Sequence, residues 1–96
     1  MSERWTFLTH HAHALLALNE NPDCRIEDLA TKLGLTTRST VNVLNDLTDG
    51  GYLSKEKFGR RNHYSINRDA ELRHETSAHR TTGDLIDYLG GVAVSS

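Results

Sequence analysis

The sequence predicts a single, mainly helical α+β domain in which three helices precede a two-stranded hairpin and a fourth helix closes the chain. Three observations predict it. Apolar residues recur at helical spacing over Thr6–Asn19, Ile26–Leu33 and Thr37–Asp49. Glycines follow the second and third of these stretches, Gly34 and the pair Gly50-Gly51. Beyond that pair the apolar period drops from about 3.6 to about 2, the spacing of strands.

The first helix places Phe7, Leu8, Ala12, Leu15, Leu16 and Leu18 on one face, and Asn21-Pro22 ends it, because a residue before proline is pushed out of the helical region. A short extended piece, expected as a first strand, follows at Cys24-Arg25. The second helix puts Ile26, Leu29, Ala30 and Leu33 on one side, with Glu27 and Asp28 in its first turn, where the helix dipole favours acids. Thr36 is the expected N-cap of the third helix, Thr37 to about Asp49, which turns Val43, Leu44 and Leu47 inward. Tyr52–Phe58 and Asn62–Ile66 form the hairpin around Gly59-Arg60-Arg61, with Leu53, Tyr64 and Ile66 toward the core. A polar last helix is expected over about 70–89, with Leu72, Ala78, Leu85, Ile86 and Leu89 as its apolar positions. The reading is one domain over residues 1–89 and a frayed tail over 90–96.

Composition narrows the class. A chain of 96 residues with 36% hydrophobic and 25% charged content reads as a soluble globular domain with little core to spare for a catalytic pocket. No apolar run approaches the roughly 20 residues that span a bilayer. Met1-Ser2-Glu3-Arg4-Trp5 lacks the basic-then-apolar pattern of a secretory leader, so a cytoplasmic location is expected. No Ser/His/Asp order, phosphate-binding glycine loop or paired-acid motif supports catalysis, and no cofactor is expected. The net charge of −2 is unevenly spread: residues 1–31 carry −3, residues 32–68 carry +4 and residues 69–96 carry −3. A basic middle between acidic flanks is what a localised phosphate-facing surface would look like.

The strongest motif lies between Ile26 and Leu47. A helix-turn-helix needs a small residue where its helices cross, a glycine in the turn and apolar residues on the inward faces only. Ala30, Gly34 and the set Leu29, Leu33, Leu35 and Val43 meet those needs, although Thr40 stands where a branched aliphatic is usual. The third helix then presents Thr36, Thr37, Arg38, Ser39, Val41, Asn42 and Asn45 outward, a set with no acid. Arg can pair with guanine, Asn with adenine and Val with a thymine methyl in the major groove. Lys55, Lys57, Arg60, Arg61 and His63 gather on the hairpin, where a basic tip reaches phosphates or the minor groove.

The stretch Ile26–Leu47 resembles winged helix-turn-helix regulators of the MarR and ArsR type. Asp49–Lys55 resembles their passage from recognition helix into wing, Gly59–Tyr64 their basic wing tip, and Trp5–His13 the first helix of a small regulator group within that superfamily. The resemblance covers about residues 5–88 and implies a transcriptional regulator that binds double-stranded DNA, as a dimeric repressor. One departure is Arg25, where a Ser, Thr or Asp cap usually precedes the second helix.

A narrow stripe of Ala78, Leu85, Ile86 and Leu89, with Trp5, Phe7 and Leu8, is the expected homodimer contact; folding of the last helix onto its own domain is the competing reading. Six histidines raise a metal hypothesis, with His10 and His13 three apart beside His11. No carboxylate sits at a tight helical spacing from them, and His74 and His79 share no face, so no metal site is assigned. Cys24 is alone, which rules out an intrachain disulfide and reads as packing rather than redox sensing. Two other functions stay open: a winged-helix protein-interaction module without DNA, and a sensor gated by metal, redox state or a small effector.

Overall fold

Thr9, not Thr6, starts the first helix. Its side chain accepts the Ala12 N–H at 3.2 Å, and α1 runs His10–Glu20. The computed structural model describes residues 8–59, 61–74, 76–77 and 79–90, without the side chain of Arg61. Trp5, Phe7, Arg60 and Ala78, which the sequence assigns to interfaces, lie outside the described residues, as does the tail beyond Gly90.

Helix α2 (Ile26–Leu33) begins at Arg25, whose side chain makes no capping bond, and the acids Glu27 and Asp28 in its first turn offset that lack. Gly34 ends it at φ 72°, with the Leu35 N–H closing back on the Ala30 carbonyl at 3.0 Å. Thr36 then caps α3 (Thr37–Asp49) by accepting the Ser39 N–H at 3.1 Å. The turn between the two helices is thus fixed at both ends by local bonds.

The three helices close over Ala14, Leu15, Leu18, Cys24, Leu29, Val43, Leu44 and Leu47, joined by Tyr52, Leu53 and Tyr64 from the hairpin. Each buried leucine contributes about 1.5–3 kcal/mol of transfer free energy. Strands β1 (Leu53–Phe58) and β2 (Arg61–Ile66) pair antiparallel in a two-stranded sheet, from Leu53 opposite Ile66 to Phe58 opposite Arg61. Such a ribbon is marginal alone. The body holds it: the Tyr64 N–H donates to the Pro22 carbonyl at 3.1 Å, the Asn67 N–H to Tyr52 at 2.9 Å, and the Tyr52 hydroxyl to Glu71 at 2.7 Å.

Two expectations are corrected. No strand forms at Cys24-Arg25, because Cys24 is buried in the core and Arg25 already opens α2; the single bond from Tyr64 to Pro22 stands in for strand pairing. The last helix does not begin at Ala70. Glu71 bridges Thr81, the Leu72 N–H reaches the Arg80 carbonyl at 2.9 Å, and α4 runs only Thr82–Leu85 before a π-helical turn, Ile86–Gly90. Leu72 and Ala78 are too few apolar residues to bury a helix over that stretch, whereas Thr81 and Asp84 cap each other's backbone and fix the true start. Ile86 is 4% exposed and its turn packs against α1.

Candidate nucleic-acid interface

Helix α3 divides cleanly by burial. Thr40, Val43, Leu44 and Leu47 point into the core, and Thr40 is fully buried. Arg38, Val41, Asn42 and Asn45 are exposed at i, i+3, i+4 and i+7, one continuous stripe, with Thr36 and Thr37 exposed at its start and Ser39 half-buried beside it. Val41, 40% exposed, is an apolar side chain left in water in the middle of that stripe. The Thr36 hydroxyl oxygen is taken by the cap, which leaves its O–H free to donate outward.

The nearest acid on the helix is turned aside. Asp46 accepts a 2.9 Å hydrogen bond from His11 Nε2 on α1. Ion pairs among the described residues are His11–Asp46, His63–Asp23 and Arg68–Asp87, so Arg38, Lys55 and Lys57 meet no acid there. Their charge is available to an external anion.

On the hairpin, Lys55 and Lys57 are exposed and pair in register with Tyr64 and Asn62. Glu56 and Phe58 alternate onto the other face, and Gly59 turns the chain at φ 63°. His63 is not a free cation there: its Nδ1 donates to Asp23 at 2.8 Å and its ring meets Phe58 edge-on at 5.9 Å. Arg61 pairs with Phe58 at the end of the ladder. The sequence reading overlooked Phe58, which is 62% exposed. Its exposure follows from its place at the far end of β1, where every residue after Leu53 is exposed.

The other predicted residues are scattered. Leu8 and Leu85 are half-buried, Leu89 is exposed, and Tyr88, which the sequence did not single out, is 75% exposed beside it. His13 is half-buried, with no hydrogen-bond partner for Nε2 among the described residues, and those residues include no cluster of three metal-ligating side chains. Burial pushes the Cys24 thiol up, opposed by nearby Lys32 and reinforced by Asp28. Burial likewise raises the Tyr64 phenol, against a hydrogen bond from Asn62. Away from the α3 stripe, an open cleft of about 910 Å³ lies between α1, the end of α3 and residues 72–74 and 77. Leu15, Leu47, Tyr52 and Leu72 line it with His11 and Arg73.

Comparison with known proteins agrees with this geometry. A sequence profile of the MarR family matches residues 6–61. Among solved structures, the fold is similar to that of MepR, a transcription regulator of the Staphylococcus aureus multidrug efflux pump MepA, at a TM-score of 0.55 and 16% identity. The alignment covers 91% of this chain but 63% of that one, and at such identity the likeness speaks for the fold alone. No curated protein matches the sequence. The profile takes in α1, both helices of the helix-turn-helix and the passage through the wing, more than half of the chain, and the protein therefore belongs to the MarR family of winged helix-turn-helix transcription regulators.

Proposed function

We propose that the protein is a sequence-specific regulator that occupies an operator in double-stranded DNA as a homodimer and represses transcription. The observation that carries this reading is the exposed, acid-free stripe of Arg38, Val41, Asn42 and Asn45 on a helix whose opposite face is buried. In the major groove Arg38 donates to guanine, the Asn side chains read adenine and Val41 meets a thymine methyl. Lys55, Lys57, Arg60 and Arg61 supply phosphate contacts from the wing. His63 lies beside them on β2, held by Asp23.

Exposed Tyr88 and Leu89, with half-buried Leu85 and Leu8, are the surface offered to a second copy. Two copies would set the recognition helices about one DNA turn apart. A regulator of this kind works without catalysis and in the cytoplasm; among the described residues no helix is long and apolar enough to cross a membrane.

Gel shifts with pooled genomic fragments test the reading. A subset of fragments is retained at a salt concentration that releases the rest. Retention of none, or of all equally, overturns sequence-specific binding. Light scattering on the eluting protein tests the dimer, and a monomer at every concentration removes it. The cleft favours one further role, a small effector bound beside α1 and the end of α3. A panel of small ligands that leaves both melting temperature and DNA retention unchanged would remove it.

A further inference from the structure

The hairpin is a ribbon of two strands, so β1 is paired along one edge and open along the other. The register tells which backbone groups face the open edge. Tyr64 turns its N–H away from β1, to Pro22, so Tyr64 and Lys55 oppose each other without exchanging hydrogen bonds. Two residues on, Lys57 opposite Asn62 is a pair of the same kind. The N–H and C=O groups of Lys55 and Lys57 therefore point away from β2, and no backbone group among the described residues meets them. Such an edge is a template for a further strand.

The side chains along the edge indicate what that strand carries. Lys55 and Lys57 stand exposed on one face of the ribbon, with no acid partner among the described residues. Glu56 and Phe58 stand on the other face. Phe58 is 62% exposed; His63 meets its ring from the β2 side, and the ring's other flank lies along the open edge. A second copy of β1 fits poorly there. Antiparallel registers that pair both lysines set lysine opposite lysine, and like charges directly opposite destabilise a strand pair. A strand with acids at alternate positions answers the lysines on one face and leaves its other face free to pack an apolar residue on Phe58.

We infer that the open edge of β1 accepts an extended acidic peptide of a partner protein as a third strand, its alternate acids opposite Lys55 and Lys57 and an apolar residue beside Phe58. In this mode of recognition main-chain bonds supply affinity and alternate side chains supply selection. The inference rests on the regulator reading and adds a control to it. The same two lysines are proposed to hold DNA phosphates, so the acids of the peptide compete with the operator and release it.

The test uses the full chain and a short synthetic peptide that alternates glutamate with valine. Hydrogen exchange at the Lys55 and Lys57 amides, followed by NMR, slows when the peptide is added, while exchange in α1 is unchanged. Methylating the backbone nitrogens of the glutamates, which face the edge, weakens binding by about tenfold. Methylating those of the valines, which face away, leaves it within about twofold. Bound peptide also lowers retention of the genomic fragments that the protein selects. No slowing at the two lysines, or equal binding by the two methylated peptides, overturns the third strand and leaves the regulator reading standing. Slowing there with fragment retention unchanged overturns release of the operator. Slowing there on a protein that retains no fragment overturns the regulator reading and leaves the third strand.

Discussion

The buried hydroxyl of Thr40 donates to the carbonyl oxygen of Thr36, one turn earlier, at 2.9 Å. The same oxygen accepts the Thr40 N–H at 3.0 Å. A polar residue at an inward position of the recognition helix is therefore satisfied inside the helix and needs nothing from the core. The Thr36 side chain meanwhile caps that helix. The two threonines do different work, so they respond differently to substitution.

Thr40→Val keeps the shape and orphans no partner, because the Thr36 carbonyl retains its backbone donor. Stability is expected to stay within about 1 kcal/mol of wild type. Thr36→Ala removes the cap and is expected to cost about 1 kcal/mol. Urea denaturation of both variants checks the contrast, and a Thr40→Val destabilisation larger than that of Thr36→Ala contradicts it.

Arg38→Ala is expected to lower affinity for the preferred site by about 1–3 kcal/mol while leaving non-specific binding nearly intact. Competition gel shifts against random duplex measure the ratio. Uniform weakening on every sequence would assign Arg38 to the backbone instead.

Replacing Arg60 and Arg61 together by alanine is expected to weaken binding on all duplexes. The slope of log affinity against log salt should fall by about 2, one for each phosphate that the wing no longer neutralises. Lys55→Ala with Lys57→Ala is expected to act the same way. An unchanged slope means the wing does not touch phosphates.

Gly34→Ala places a side chain at φ 72°, where there is room for a Cβ but the backbone is strained. A cost of about 1–2 kcal/mol is expected, read as a lowered denaturation midpoint.

Alkaline pH should destabilise the fold. Burial raises both the Cys24 thiol above its ordinary 9.0 and the Tyr64 phenol above its ordinary 10.0, so the folded state holds protons that the unfolded state releases. Their contribution is complete below about pH 9 and is lost as pH rises through the raised values. A urea midpoint that climbs between pH 9 and pH 11 would contradict this sign, and Cys24→Ala should shallow the decline.

The central helices were legible because their limits are local. Gly34 needs a left-handed backbone, Thr36 needs only the N–H three residues on, and the inward positions follow from period alone. Thr6 and Ala70 misled as starts because apolar spacing continues past the residues that cap. Thr9 and Thr81 were the better guides, the second with Asp84 three residues later. His63 and Asp23 could not be joined by any local rule, since 40 residues separate them in the chain. The exposed stripe of α3 was readable as whatever the core did not use. How the wing's ring is held depends on that distant contact.

The backbone bond from Tyr64 to Pro22 has a mechanical consequence. Among the described residues it is the outermost backbone bond from the hairpin to the body, and Tyr64 lies opposite Lys55, so three residues of β1 extend beyond it. At about 3.3 Å per residue they form a lever arm of about 10 Å, and a tilt of about 10° at the fulcrum swings its end by about 1.7 Å. A hydrogen bond tolerates far less travel than that. Slight repacking around Pro22 is thereby amplified into making or breaking contacts at the end of the arm.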